Sequence, residues 1–252
     1  MTARADRLTG RTATVGPHRL HVRAGGPNHP CRPPALLVPG LVSSSRYLEP
    51  LGVELARDRL VVAPDLPGTG RSPRAAHPLP LDELAGLLCR LARDTTGPAV
   101  VIANSFGCLV AIELARQAPE LVHRLVLTSP VLAPRARSLP ALVARFVRAM
   151  RHETPRYLSV VLRDALRASL LKGWADLTVL LEDPVLERAA GLAVPTLVVR
   201  GRRDDLVPEA FARRLAARIP DGRYHEINCT HALPFAAPQA LAAMIREPAG
   251  SD

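Results

Sequence analysis

Short, continuous apolar runs recur along this chain of 252 residues and restrict its fold more than any other feature. A run without polar alternation is typical of a strand buried on both faces of a parallel sheet. Five such runs lie at residues 35–40, 59–66, 98–105, 123–130 and 195–201. An alternating hairpin is predicted before them, over 12–24, and a sixth strand after them, over 223–228.

Helical segments separate most of these strands. The segment 81–92 carries apolar residues at positions 81, 84, 87, 88 and 91, which form one stripe of a helix. Further helices are predicted after Ser105, after Pro208 and over 234–245. Because strands and helices alternate, the sequence predicts the α/β fold class: a mostly parallel sheet with helices on both faces.

One block interrupts the alternation. Residues 131–192 contain no strand pattern, and we interpret them as a helical cap inserted into a core formed by residues 1–130 and 193–252. Helices are predicted there over 138–150, about 156–171 and 174–182. The first of these has an apolar stripe that is expected to pack in the core and in part to line a pocket. The stripe consists of Leu139, Leu142, Val143, Phe146, Val147 and Met150.

The charge of the chain points first to nucleic acid as a partner, but other features argue against it. The formal net charge is +10, and Lys172 is the only lysine among the 33 basic residues. A bias toward arginine of this size is typical of a GC-rich genome. Aromatic residues make up only 3%, so few side chains could stack on bases. We therefore expect no nucleic-acid partner.

Location and metal content are predicted from what the sequence lacks. No window of eighteen apolar residues indicates a membrane span, so no stable membrane anchoring is expected. The N-terminal residues have no apolar signal segment, which makes the cytoplasm the default location. The four cysteines, Cys31, Cys89, Cys108 and Cys229, have no metal-ligand spacing and are expected to be reduced thiols.

Ser105 stands where a strand turns into a helix with no residues left for a loop. A serine at such a corner adopts a strained backbone and presents its hydroxyl above the sheet. The residues two positions away, Ala103 and Gly107, are small, as the nucleophile-elbow pattern G-x-S-x-G requires, with alanine in its first position. The alternative interpretation is that Ser105 only caps the following helix.

Partners for a nucleophilic serine follow two later strands. Asp204 and Asp205 come after the strand 195–201, and His231 comes after the strand 223–228. Ligands of a parallel sheet bind at the carboxyl ends of its strands, so these groups are expected to meet there. The chain order serine, acid, histidine is that of one class of hydrolases. Asp65 precedes the serine and is expected to hydrogen-bond within its own loop.

Four segments around these residues resemble the α/β-hydrolase superfamily, and the resemblance covers about residues 12–246. They are "LLVPGLVSSSRY" (36–47), "VVAPDLPGTGRS" (61–72), "GRRDDLVP" (201–208) and "CTHALPFAAPQAL" (229–241). The resemblance implies that Ser105 is the nucleophile, Asp204 the acid and His231 the base. It also implies an oxyanion hole formed by the backbone N–H groups of Leu41 and Phe106, with no metal or organic cofactor. Where the family often has His-Gly, this chain has Pro39-Gly40.

The resemblance implies a hydrolase, and hydrolysis of a small acyl ester through an acyl-enzyme is the favoured reaction. Two alternatives within this chemistry are a thioesterase and a C–C bond hydrolase of ring-fission products, whose Asn-Ser elbow "ANSFG" resembles. An alternative of another class is a non-catalytic protein that binds or senses a small ligand. The predicted partner is a small molecule with an acyl carbonyl, and the sequence does not indicate an oligomeric state.

Most of the positive charge lies in the predicted cap. Between Arg135 and Lys172 nine basic residues face two acidic residues, Glu153 and Asp164, which gives 9 − 2 = +7. Such a charge run is usually a solvated face. The alternative is that it attracts an anionic substrate to the site.

Overall fold

The fold is given by a computed structural model, which describes residues 7–130 and 139–247. Eight strands form one sheet, in the spatial order β1-β2-β4-β3-β5-β6-β7-β8. They are β1 (Thr9–Val15), β2 (His18–Gly25), β3 (Ala35–Val38), β4 (Val61–Pro64), β5 (Ala99–Asn104), β6 (Val122–Thr128), β7 (Thr196–Gly201) and β8 (Gly222–Ile227). The strands β4-β3-β5-β6-β7-β8 are parallel, and the hairpin β1-β2 joins antiparallel to β4. The predicted mostly parallel sheet is confirmed.

Helices cover both faces of this sheet. They are α1 (Glu49–Leu55), α2 (Leu81–Thr95), α3 (Gly107–Gln117), α4 (Leu139–Met150), α5 (Pro155–Arg167), α6 (Leu170–Glu182), α7 (Val185–Ala190), α8 (Glu209–Arg218), α9 (Leu233–Ala236) and α10 (Pro238–Arg246). Alternate residues of β5 enter two separate apolar clusters: Val101 packs in one and Val100 and Ile102 in the other. A strand buried on both faces explains why its sequence is continuously apolar.

Three helical elements differ from the prediction. The closing helix expected over 234–245 is two helices, because the chain turns at Ala237 and Pro238 opens α10. Proline has no N–H to donate and fits the first turn of a helix, so it marks a new start here. Helices α1 and α7 were not predicted.

Four helices, α4 to α7, lie between β6 and β7, and we call them the inserted helices. The described part of this block, 139–192, contains no strand, as expected. Residues 131–138 of the predicted cap lie outside the described residues, as do the side chains of Leu139, Leu142 and Val143. The division into core and cap stays a prediction.

The expectation that the apolar stripe of α4 packs in the core is wrong for two of its members, although one of them, Phe146, lines a cavity, as was expected of part of the stripe. Phe146 is 45% exposed and Val147 is 50% exposed, whereas Met150 is partly buried against the core. An amphipathic pattern shows that one face of a helix is apolar but not what covers that face.

Candidate active site

Ser105 occupies the corner between β5 and α3 in a left-handed backbone conformation, with φ at +58°. Non-glycine residues rarely adopt this region, and such strain occurs mostly at functional positions. The N–H of Ser105 donates to the carbonyl oxygen of Thr128 at 3.1 Å, which holds the corner against β6. The N-cap residue of α3 is Phe106, and no side chain forms a capping hydrogen bond there. Ser105 therefore does not cap this helix.

Gly107 permits the tight passage from strand to helix. A Cβ at this position would lie 2.5 Å from the carbonyl oxygen of Pro39 and 2.7 Å from that of Val38. Both atoms belong to the backbone at the end of β3 and cannot move aside. The elbow pattern requires a small residue at this position because two backbone segments approach each other closely here.

Asp204 and His231 meet at the carboxyl ends of β7 and β8. Oδ2 of Asp204 lies 2.9 Å from Nδ1 of His231, and both side chains are buried. The other oxygen of Asp204, Oδ1, accepts from the N–H groups of Leu206 and Val207 at 2.9 and 3.3 Å. Asp205 is more exposed and lies instead 3.6 Å from Nε2 of His152. Of the two aspartates, Asp204 is the one that contacts His231.

The two buried groups perturb each other's titration. Burial alone lowers the pKa of His231, but the charge and hydrogen bond of Asp204, with a smaller contribution from Glu153, raise that pKa above its ordinary value. Burial raises the pKa of Asp204, but the charge and hydrogen bond of His231 outweigh it and lower the pKa. Asp204 is therefore ionised and can only accept, so Nδ1 of His231 carries the shared proton and Nε2 is left for another partner.

Ser105 and His231 line the same cavity, of about 270 Å³, at the end of the sheet. Leu41, Val42 and Leu206 line it from the core. The inserted helices contribute two residues each from α4, α5 and α6: Phe146 and Met150, Tyr157 and Val161, and Leu177 and Leu180. Apolar walls around a few polar groups are typical of a small-molecule site.

The loop after β3 contributes backbone donors. In the described residues the N–H groups of Leu41 and Phe106 donate no hydrogen bond, whereas the N–H of Gly40 donates to the hydroxyl of Tyr47 at 2.8 Å. That hydroxyl in turn donates to Oδ1 of Asn104 at 3.1 Å. The Nδ2 of Asn104 donates to the carbonyl oxygen of His231 at 3.3 Å. Sequence reasoning missed this chain of contacts, which joins the loops of Gly40 and His231 beneath Ser105.

A buried carboxylate from the inserted helices holds the loop of His231. Glu153, between α4 and α5, accepts from Oγ1 of Thr230 at 2.9 Å and from the N–H of Ala232 at 3.1 Å. These two residues flank His231 in the sequence. Burial raises the pKa of Glu153 above its ordinary value, although both hydrogen bonds oppose that shift. The sequence analysis had counted Glu153 only as a charge.

Two further carboxylates hold the serine loop that follows Leu41. Asp164 of α5 accepts from the N–H and Oγ of Ser44 at 2.8 and 2.7 Å. Asp65, after β4, accepts from the N–H and Oγ of Ser45, both at 2.6 Å. Asp65 also accepts from the N–H of Arg71, so it is a hydrogen-bonding residue of its loop, as expected.

The fold and this geometry agree with comparisons to known proteins. Residues 35–244 match the alpha/beta hydrolase family. This chain belongs to that family. The match covers the strands and helices from β3 to α10, and with it the predicted superfamily is confirmed.

Similar members of the alpha/beta hydrolase family are named as lipases and esterases. Lipase LipV of Mycobacterium tuberculosis is 29% identical over 273 residues, which covers 92% of this chain and 98% of that protein. The pimeloyl-[acyl-carrier protein] methyl ester esterase of Aromatoleum aromaticum is 30% identical, over 86% of this chain and 98% of that protein. The crystal structure of the enol-lactonase from Burkholderia xenovorans LB400 has a TM-score of 0.76 at 24% identity, covering 93% and 98% of the two chains. The likeness to that structure shows the shared fold.

The family match and the names of these relatives show that the protein is a hydrolase, as the sequence predicted. Serine chemistry on ester bonds is typical of this family. In the described part of the chain, no helix combines the length and apolar character needed to cross a membrane.

Proposed function

We propose that this protein hydrolyses a small acyl ester through an acyl-enzyme formed on Ser105. The observation that carries the proposal is the 2.9 Å contact of Asp204 with Nδ1 of His231, whose ring lines the same cavity as the strained Ser105. A serine hydroxyl needs a base that a third group orients, and this arrangement supplies both. The names of lipase and esterase relatives support the ester as substrate.

In the proposed mechanism His231 takes the proton of Ser105 through Nε2 as the serine oxygen attacks the carbonyl carbon. Asp204 keeps the ring in the tautomer that leaves Nε2 free to accept, and stabilises the imidazolium that forms. The N–H groups of Leu41 and Phe106 receive the negative charge that develops on the carbonyl oxygen. His231 then protonates the leaving alcohol, and a water molecule, deprotonated by His231, releases the acid and restores Ser105.

The apolar walls of the cavity support an acyl chain rather than a polar group beside the reacting carbonyl. For the C–C bond hydrolase, the resemblance rested on Asn104. Its side chain lines the cavity, but its polar atoms are bonded to Tyr47, Thr128 and His231 and are thus engaged within the protein. We also propose that residues 131–192 act as a cap over the core of 1–130 and 193–252, since α4, α5 and α6 supply six of the fifteen residues that line the cavity.

Labelling of the nucleophile tests the mechanism directly. Treatment with a fluorophosphonate followed by peptide mass spectrometry should find the adduct on Ser105. The Ser105→Ala protein should keep its thermal unfolding and lose roughly 10⁴-fold or more in kcat with p-nitrophenyl esters of varied acyl length. An adduct on another serine, or multiple turnover that survives Ser105→Ala, would refute the assignment.

A further inference from the structure

The inserted helices expose apolar side chains in a way that the rest of the molecule does not. Every large hydrophobic side chain that is exposed in the described part of the chain lies on α4, α5 or α6. We call this set the apolar patch; its members are Phe146, Val147, Leu162, Leu166, Leu170, Leu171 and Trp174. Leu166, Leu170 and Leu171 are 79%, 89% and 76% exposed, so they pack against almost nothing. A monomer rarely leaves such a set uncovered without a use for it.

The spacing of these residues places several of them in pairs on single helix faces. Leu162 and Leu166 are four residues apart on α5, and Leu170 and Trp174 are four residues apart on α6, so each pair shares one face. Only Ala168 and Ser169 separate the two helices. Phe146 of α4 both belongs to the patch and lines the cavity of Ser105. The patch therefore reaches the wall of the cavity.

The charges exposed from residue 144 to 181 are of one sign, and the first exposed acid after them is Glu182 at the end of α6. Six arginines on and between these helices are exposed or partly exposed, and none forms an ion pair within the described residues. They are Arg145, Arg148, Arg151, Arg156, Arg163 and Arg167. The acids of the same stretch, Glu153, Asp164 and Asp176, are all buried. Solvent therefore meets cations and apolar side chains here, with no acid among them from 144 to 181.

We propose that the apolar patch docks reversibly on an anionic lipid surface, with the arginines among the headgroups and the leucines and Trp174 below them. Helices with Arg on one side and Leu, Phe or Trp on the other bind lipid interfaces in this orientation, through buried apolar area and attraction to anionic lipids. Charge complementarity selects an anionic surface. A protein partner would need a matching pocket for each protruding leucine, whereas acyl chains accommodate any of them.

This inference rests on the surface alone and not on the proposed reaction at Ser105. If both hold, docking sets the cavity wall at Phe146 against the lipid and gives an acyl ester an apolar route from the lipid to Ser105. The test below needs no catalysis, so a failure of the docking and a failure of the proposed function can be told apart.

Trp174 makes the test direct, because it is the only tryptophan of the chain and belongs to the patch. The whole protein is titrated with vesicles of ether-linked phosphatidylglycerol or phosphatidylcholine, whose alkyl chains an esterase cannot release. Phosphatidylglycerol should move the Trp174 emission to shorter wavelength, and brominated chains should quench it. Binding to phosphatidylcholine, or at high salt, should be weaker by on the order of tenfold or more.

Two matched pairs of arginines distinguish the effect of charge at the patch from the effect of the protein's net charge. Arg163 and Arg167 lie four residues apart on α5, and Arg214 and Arg218 lie four residues apart on α8; all four are exposed. The double variant Arg163→Glu/Arg167→Glu should lose on the order of tenfold or more in affinity for phosphatidylglycerol vesicles. Arg214→Glu/Arg218→Glu changes the net charge by the same amount and should bind as the parent does. Leu166→Ser/Leu170→Ser should also lose binding while its thermal unfolding stays unchanged.

Four results would overturn the proposal. The first is an emission that anionic vesicles leave unchanged at low salt. The second is an equal loss of binding in the two arginine pairs, which would indicate only net charge. The third is a shift produced by soluble poly-glutamate without lipid, which would indicate an acidic protein. The fourth is a shift that grows with protein concentration alone, which would indicate a second copy of the chain.

Discussion

The sheet and the inserted helices place their charges in opposite ways. In the core, arginines pair with acids near the surface, as Arg200 does with Glu226 and Arg246 with Asp58. Between residues 144 and 181 the acids turn inward instead: Glu153 contacts the loop of His231 and Asp164 contacts Ser44. The six arginines of α4, α5 and the loop between them are thereby left without an ion-pair partner in the described residues, whereas Arg188 of α7 pairs with Glu113 and Asp183. The comparison teaches that one arrangement both holds the site's loops and leaves a cationic exterior from residue 144 to 181, which ends at the exposed Glu182.

This contrast also divides the site by task. The groups proposed to act on substrate, Ser105, Asp204 and His231, all follow strands of the sheet. The inserted helices contribute cavity walls and two carboxylates that touch only backbone and hydroxyl groups of the loops. We therefore expect substitutions in the sheet loops to affect the chemical step most. Substitutions of buried residues on the inserted helices should affect that step by displacing the loops that carry the catalytic groups. Substitutions on the outer surface of these helices should affect only the steps before it.

The largest effect is expected from Asp204. Asp204→Asn keeps the shape but lets Nδ1 of His231 act as acceptor, which puts the proton on Nε2 and removes the base. We expect kcat to fall by on the order of 10⁴ in steady-state assays of a soluble ester. Asp205→Asn is the matched control, since that residue contacts His152 instead, and it should lose far less. The opposite ranking of the two variants would refute the assignment of the acid.

A smaller effect is expected from Glu153, on the helical side. Glu153→Ala removes both contacts that flank His231, and displacing a catalytic group by about 1 Å costs on the order of 10²-fold, so kcat should fall by up to that factor. Glu182→Gln, on the exposed end of α6, is the control and should leave kcat unchanged.

The pH profile distinguishes positioning by Glu153 from general loss of structure. His231 must be neutral to act as base, so kcat/KM is retained above its pKa and lost as the pH falls through it. That pKa is raised, and Glu153 contributes to the rise. In Glu153→Gln the size is kept and the charge is gone, so the pKa of His231 should fall and the acid limb of the profile should move to lower pH. A limb that stays in place would contradict this role.

Tyr47 should affect stability more than catalysis. Tyr47→Phe leaves the buried N–H of Gly40 without its acceptor and Oδ1 of Asn104 without its donor. An unsatisfied buried group costs about 1–3 kcal/mol, so the free energy of unfolding in urea should fall by about that amount. Tyr224→Phe is the control, because its hydroxyl meets only the partly exposed Glu226 at 3.3 Å, and should lose less. Equal losses would show that the link beneath Ser105 adds nothing.

The sequence predicted the sheet well because burial on both faces leaves a continuous apolar pattern that local inspection detects. It also predicted the elbow, because the pattern of small residues around Ser105 lies within five positions, although the backbone that requires Gly107 is that of Val38 and Pro39. It could not predict the contacts of Asn104 with Tyr47, 57 positions away, or of Glu153 with Ala232, 79 positions away. Such polar contacts depend on how distant loops pack and leave no periodic pattern.

The outer faces of the inserted helices were misinterpreted for a related reason. Periodicity places Phe146 and Val147 on one stripe, and a stripe is usually buried. Whether anything covers it depends on the packing of α4 on its neighbours, which the sequence of α4 alone does not contain. The roles of Ser105, Asp204 and His231 as catalytic groups stay a prediction, to be decided by the experiments above.

The smallest effect concerns the exterior arginines and an anionic substrate. A rim of one charge raises the local concentration of an oppositely charged ligand, and salt screens this attraction. We expect kcat/KM for an ester with a distal carboxylate to fall by roughly tenfold from low to high ionic strength, while kcat is unchanged. A neutral ester of the same acyl length should barely respond. The six arginines of α4, α5 and the loop between them carry this charge, whereas Arg135 and Arg137 lie outside the described residues.

The same matched variants show whether the salt dependence for the anionic ester arises from the inserted helices. Arg163→Glu/Arg167→Glu should flatten the salt dependence of the anionic ester, because it lowers the field where the substrate approaches the cavity. Arg214→Glu/Arg218→Glu, on α8 of the core, should keep that dependence, since those side chains belong to a helix that does not line the cavity. If kcat/KM of the two esters depends on salt in the same way in the parent protein, the arginines do not attract the substrate and contact only solvent and lipid. The difference in surface charge between the core and the inserted helices would then not contribute to substrate selection.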